Sequence, residues 1–336
     1  MLVLVAPGQG AQKPGFLTPW LDLPGVTERL TWWSAVSGLD LIHYGTKADE
    51  EEIRDTAVAQ PLLVAAALAS ARALFPEDAA GAEGAEGAGN STGGFSESAR
   101  AVLGATAGHS VGEIAAAAVA GVLTEETAMV LVRHRGLAMA EAAARAETGM
   151  SAVLGGEQDD VVAHLTKLGL TPANVNGAGQ IVAAGTAEQL AALAADKPEG
   201  VRRVVPLAVA GAFHTDHMAP AVSALDTLIA GAPVADPRLP YVSNRDGQVV
   251  TSGAEIAQRL VAQVSNPVRW DLCMETFQRL GATAIIEVAP GGTLVGIAKR
   301  ALPGVKTLAL KTPDDLEAAR ALIAEHAVPV ADTPAE

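Results

Sequence analysis

The sequence contains one cysteine, Cys273, so no internal disulfide can form, and no Cys/His spacing of the metal-binding kind is present. A reducing compartment and a chain without a metal are the expectation. Aromatic residues are scarce, at 3% of 336 residues, which leaves Ala, Val and Leu to build the core and favours helices packed closely on a sheet. Basic residues are also few: 23 Lys and Arg stand against 38 Asp and Glu, a net charge of −15. Nucleic acid is thereby excluded as a partner, because phosphate binding needs a surplus of positive charge. The N-terminal run Met1–Val5 is short, has no basic lead and is closed by Pro7-Gly8, so it does not read as a signal peptide. No segment approaches the roughly 20 apolar residues that cross a bilayer. The expected place is the cytoplasm, away from membranes.

The length suits one large domain, or a large one with a smaller partner. Residues 1–6 read as a buried strand followed by the turn Pro7-Gly8-Gln9-Gly10. Asp49–Glu52 is an acidic, solvated run. Residues 61–75 read as a helix, with Pro61 in its first turn, where the missing N–H costs nothing, and Pro76 ending it. Residues 79–98, rich in Gly, Ala, Glu and Ser, cannot bury enough surface to order themselves and read as a flexible surface insertion. A second strand over 101–106 leads into Gly108-His109-Ser110-Val111-Gly112, and the apolar stretch from Glu113 to Leu123 reads as a helix. The next helix starts at Thr124, with Glu125 and Glu126 in its first turn.

Residues 142–207 have a different rhythm. Strands at 150–154, 172–175, 180–184 and 203–207 alternate with helices at 159–168 and 187–195, giving the order βαββαβ of a ferredoxin-like unit. The fold class is therefore α/β, a core over 1–141 and 208–326 with this smaller unit inserted and a frayed tail over 327–336. Later strands are expected at 241–243 and 284–288, with helices near 255–264 and 314–326.

Gly108–Gly112 fits G-x-S-x-G between a strand and a helix, the turn that lifts a serine hydroxyl clear of a sheet. Such a hydroxyl needs a base. Of the seven histidines, His109 adjoins the serine but points away on so tight a turn. His43, His164 and His326 lie in surface segments, and His134 sits among apolar residues as a core histidine would. His214 follows the last strand of the inserted unit, where a loop can reach a cleft between domains, and His217 is its rival. Arg135 shares a helix face with Ala128, Leu131, Val132 and Met139, so it must find an anion or a set of carbonyls. A buried Asp or Glu partner and a substrate carboxylate are equally open for it. Arg133 points elsewhere, to solvent.

These motifs, taken in order, resemble the malonyl-CoA:acyl carrier protein transacylases of fatty acid synthesis, of the stand-alone, actinobacterial type. The resemblance rests on Gly8-Gln9-Gly10, Gln60-Pro61, Gly108–Glu113 and Arg135–Met139. It continues through Asn174-Val175-Asn176 with Gly179-Gln180, Ala212-Phe213-His214, and Asn266-Pro267-Val268 with Trp270. It implies a hydrolase-like α/β core with a ferredoxin-like insertion, Ser110 as nucleophile and His214 as base. The base would be oriented by the backbone carbonyl of Gln263 rather than by a carboxylate. The Gln9 and Val111 amides would form the oxyanion hole, and Arg135 would clamp the malonyl carboxylate. Phe213, Met139, Asn176 and Gln263 join the implied substrate-binding set, with Gln180 as a pocket support. Phe213 also has a plain reading as a loop anchor. The implied partners are malonyl-CoA and holo-acyl carrier protein, with no bound cofactor. Lys299, Arg300, Arg202 and Arg203 are the basic pairs on which an acidic carrier could dock. Rival readings are a serine thioesterase or hydrolase, a trans-acting loader for a polyketide synthase, and a non-catalytic carrier-binding module.

Overall fold

Leu2, Leu4 and Ala6 pack into one core cluster while Val3 and Val5 pack into another. A strand buried on both faces belongs in the middle of a sheet covered by helices on either side. A computed structural model of the chain describes residues 1–76, 95 and 97–327. The expected insertion at 79–98 lies almost wholly outside the described residues, as does the tail beyond Ala327.

The strands of the first half are β1 (Leu2–Ala6), β2 (Ala105–Gly108), β3 (Thr148–Gly155), β4 (Thr171–Gly177), β5 (Gln180–Thr186) and β6 (Val201–Pro206). Those of the second half are β7 (Tyr241–Val242), β8 (Val249–Val250), β9 (Val268–Arg269), β10 (Ala284–Glu287) and β11 (Lys306–Ala309). The larger sheet has the order β11-β10-β1-β2-β7-β8, parallel throughout except for β8 at its edge. The chain leaves β1 toward β2 on one side and leaves β10 toward β11 on the other. Loops therefore diverge beyond the carboxyl ends of β1 and β10, the place where open α/β sheets form a crevice.

The smaller sheet has the order β6-β3-β5-β4-β9. Its first four strands are antiparallel, and the helices Gln158–Lys167 and Ala187–Ala195 complete the βαββαβ unit. Thr186 starts the second helix with a capping box, its side chain on Gln189 N–H and the Gln189 side chain on its own N–H. A fifth strand, β9, arrives from the core segment and pairs in parallel with β4 at Asn174↔Val268, stitching the unit to the rest of the fold.

Five local expectations are corrected. The helix Thr56–Leu74 begins five residues earlier than its proline suggests, capped by the Asp55 side chain on Ala57 N–H. Pro61 thus sits in its second turn, where its missing N–H leaves the Ala57 carbonyl without a helical donor. Arg133, expected in solvent, supplies that donor at 2.7 Å. The same 19-residue helix has a mean hydropathy of 1.5 and is apolar enough by length and composition to cross a membrane, contrary to the sequence reading. Protein covers it, since 89% of its most apolar 18-residue stretch is buried. Residues 101 and 102 close a helix, Glu97–Val102, and the strand starts only at Ala105, after Gly104 N–H bonds Leu2 O at 2.8 Å. His134, finally, is exposed, because its neighbours Arg135 and Gly136 take the buried face of the helix Glu125–Ala143.

Two buried acids do structural work. Glu125, at the start of that helix, pairs with Arg29 at 2.9 Å and with Arg72. Glu287, at the end of β10, accepts the N–H groups of Gly292, Leu294 and Val295 at 2.8–3.0 Å and so caps the helix Thr293–Ala301.

Candidate active site

Ser110 occupies the turn between β2 and the helix Gly112–Val119 with φ 53°, left-handed backbone that costs a non-glycine residue about 1–3 kcal/mol. The flanking glycines are demanded by space. A Cβ on Gly108 would lie 1.9 Å from the Gly112 carbonyl carbon, and one on Gly112 would lie 2.3 Å from Ala6 O. The register of β1 and β2, with Ala6 opposite Gly108, brings the Gly8-Gln9-Gly10 turn beside this elbow. Asn244 braces it, accepting Ser110 N–H at 2.8 Å and donating from Nδ2 to Gly108 O at 2.7 Å.

Of the two rival histidines, His214 is the one beside the serine. Its Nε2 is 2.7 Å from Ser110 Oγ, whereas His217 is exposed on the following turn. His214 also has left-handed backbone, φ 61°, with its N–H bonded to Val264 O at 3.1 Å. Its Nδ1 lies 2.8 Å from the Gln263 carbonyl oxygen. A carbonyl only accepts, so Nδ1 carries the proton and the Nε2 lone pair faces the serine. Burial, reinforced by the nearby Arg135 charge, pushes the imidazole down to about 3, so the ring is neutral at physiological pH.

Arg135 is 2% exposed. Its Nη1 donates to Gln60 Oε1 at 2.6 Å, and its Nη2 donates to Gln263 Oε1 at 2.9 Å and to Ser110 Oγ at 3.3 Å. Burial brings the guanidinium down to about 10, which leaves it charged at neutral pH. Among the described residues no carboxylate pairs with it directly, so the buried-pair alternative does not apply and a desolvated cation faces the cavity with neutral amides beside it.

The cavity, about 170 Å³, opens beyond the carboxyl ends of β1, β2 and β10 against the smaller sheet. Ser110, His214, Arg135, Met139, Asn176 and Phe213 all line it, and so do Gln9, Val111 and Gln180. Neither the Gln9 nor the Val111 backbone N–H has an acceptor among the described residues. His109 turns from the serine as expected, its Nε2 2.9 Å from Asn176 Oδ1 and its ring edge-on to Trp270. Gln263, expected in the substrate-binding set, reaches the site through Arg135, whose Nη2 it accepts. It stands behind Arg135 rather than in the cavity wall, because its amide is drawn to the buried Glu113. Lys299 and Arg300 are exposed at the far end of the helix whose first turn, Thr293 and Leu294, lines the cavity. Arg202 and Arg203 are exposed on the edge strand β6.

Three residues of the site escaped the sequence reading as functional groups. Gln60 precedes a proline inside a buried helix. Glu113 is the lone acid of an otherwise apolar helix, a signal that could have found it. Asn244 lies in a loop after a two-residue strand, with nothing local to mark it.

Residues 101–312 match the family model described as the acyl transferase domain. The chain is 48% identical over 321 residues to the malonyl CoA-acyl carrier protein transacylase of Mycobacterium tuberculosis, covering 94% of this chain and 98% of that one. The crystal structure of MCAT from the same organism superposes with a TM-score of 0.85, covering 95% of this chain and 99% of that one. A malonyl-transacylase solved in complex with a type II PKS acyl-carrier protein is 30% identical, with a TM-score of 0.83, covering 96% of this chain and 99% of that one. On this similarity across nearly its whole length, the chain belongs to the malonyl CoA-acyl carrier protein transacylases of the acyl transferase family.

Proposed function

We propose that Ser110 carries the malonyl group as an ester between malonyl-CoA and the phosphopantetheine thiol of holo-acyl carrier protein. The observation that carries this reading is a neutral His214 on the Ser110 hydroxyl beside a buried cation, Arg135, that has no carboxylate partner among the described residues. A malonyl thioester brings the missing carboxylate, which a planar guanidinium can hold by two bonds. An acetyl group brings none. The cavity volume, about 170 Å³, is close to that of a benzene-sized site and suits a three-carbon acyl head rather than a long chain.

His214 Nε2 takes the Ser110 proton as Oγ attacks the thioester carbon. The Gln9 and Val111 amides face the oxygen that gains charge, each such donor contributing about 10²–10³ in rate. Collapse breaks the C–S bond, and the imidazolium returns its proton to the CoA sulfur. In the second half the carrier thiol gives its proton to His214, attacks the ester carbonyl, and Ser110 leaves with that proton. The sequence is ping-pong and requires no cofactor or metal in any step.

Intact mass after mixing with malonyl-CoA tests the scheme, beside Ser110→Ala and an acetyl-CoA control. A single malonyl adduct on the unaltered chain, discharged by holo-carrier protein, is expected. An adduct lost equally fast without carrier would identify a hydrolase instead. Competition between fatty-acid and polyketide carrier proteins then identifies the carrier served, a question the relative bound to a type II PKS carrier makes specific.

A further inference from the structure

Glu113 is 1% exposed on the helix behind the nucleophile, and no step above uses it. Among the described residues no Lys or Arg pairs with it directly. Its oxygens accept from Asn244 N–H at 2.6 Å and from Gln263 Nε2. These two partners lead to the two ends of the site. The Asn244 side chain holds Ser110 N–H and Gly108 O. The Gln263 side chain offers Oε1 to Arg135 Nη2 at 2.9 Å, while its Nε2 also reaches Ser110 O at 3.2 Å.

A side-chain amide can sit either way round, and its neighbours decide which. An ionised carboxylate only accepts and a guanidinium only donates. With Glu113 on one side and Arg135 on the other, Gln263 has one satisfactory orientation: NH₂ toward Glu113, oxygen toward Arg135. Reversed, it would aim donors at donors. Burial raises the Glu113 carboxyl to about 7, against the pull of its donors and of the Arg135 charge, so the ionised form is populated at neutral pH. It is a counter-charge held one amide away from the cation, which leaves the guanidinium face open to a ligand.

We propose that Glu113 is a positioning residue for malonyl selectivity, orienting the Gln263 amide so that Arg135 stays turned toward the substrate's free carboxylate. The inference rests on Arg135 holding that carboxylate. Steady-state transfer from malonyl-CoA and from acetyl-CoA tests it in Glu113→Gln, in Gln263→Met, in the two combined, and in Arg135→Ala, each with its melting temperature. In Glu113→Gln the new amide sets a donor against Gln263, and the malonyl-CoA KM should rise roughly tenfold to a hundredfold, the worth of one charged hydrogen bond. The acetyl-CoA KM should stay in place while kcat falls modestly for both. Gln263→Met removes the amide through which Glu113 acts, so it should raise the malonyl-CoA KM alone, and adding Glu113→Gln should raise it no further. Equal losses of kcat on both substrates with KM unmoved would mean packing only and overturn the proposal, as would a further roughly tenfold rise in the malonyl-CoA KM when Glu113→Gln is added to Gln263→Met. If Glu113→Gln fails to fold, Gln263→Met decides alone: a rise confined to the malonyl-CoA KM upholds the inference, and a malonyl-CoA KM left unmoved overturns it. An Arg135→Ala variant with an unaltered malonyl-CoA KM would show that the clamp itself had been misread, a separate failure.

Discussion

His214 shows how a buried residue converts environment into chemistry. In the unfolded chain a histidine titrates near 6.5, whereas in the fold this one resists protonation down to about 3. Between those values the unfolded state binds more protons, so this contribution to stability is complete above 6.5 and declines as pH falls toward 3. Glu113, raised from 4.5 to about 7, acts with the opposite sign: its contribution is complete below 4.5 and is lost as pH rises through 7. His214→Gln removes the first dependence and keeps the second. Its melting temperature relative to the unaltered chain should therefore climb steadily as pH drops from about 7 to 5, a window taken from those two shifts. A difference independent of pH, measured by thermal denaturation across buffers, would contradict the depressed imidazole.

At the scale of the element, the decisive parts are those that aim a helix or a turn at the cavity. Glu287 caps the helix Thr293–Ala301 through three backbone N–H groups, and Thr293 and Leu294 of that first turn form cavity wall. Removing the acceptor leaves buried donors unpaired, each costing about 1–3 kcal/mol. Glu287→Ala should accordingly lower stability by about 2–4 kcal/mol and raise the malonyl-CoA KM as the wall loosens. Chemical denaturation and steady-state kinetics read the two effects separately, and a stable variant with ordinary KM would show the cap to be dispensable. The helix Thr56–Leu74 is a second case: its internal proline persists because Arg133, from the neighbouring helix, serves the carbonyl that Pro61 leaves free. Gln60, one residue earlier, points its amide at Arg135, so the irregular turn also carries part of the site.

The whole molecule is strongly acidic, at −15, so a carrier that is itself acidic would be repelled at long range. Long-range repulsion must then be overcome by local positive charge. Lys299 and Arg300 are exposed at the end of the helix that begins at the cavity. Reversing both to Glu should raise the apparent carrier KM and leave loading from malonyl-CoA unaltered. Raising the salt concentration should narrow the gap, because exposed charges are screened over about 8–10 Å near physiological ionic strength. The same reversal at Arg202 and Arg203 on β6 compares the two surfaces. An unchanged carrier KM in both would remove these pairs from the docking surface.

What the sequence determined by itself is what neighbouring residues settle among themselves. The strand–turn–helix around Ser110, the Thr124 cap, the buried stripe bearing Arg135 and the βαββαβ order of the smaller unit rest on steric and hydrogen-bond rules reaching only a few residues. Pro61 shows the limit of that reading, since its local rule named a helix start while a distant arginine made another position tolerable. Tertiary structure alone chose between His214 and His217, 104 and 107 residues beyond Ser110. It also gave Arg135 two amides, Gln60 and Gln263, from 75 and 128 residues away in place of a carboxylate, and set Asn244 against the elbow from 134 residues away. Those choices depend on desolvation and on which donors meet which acceptors after the sheets and helices pack, quantities that have no value until distant parts of the chain share one interior.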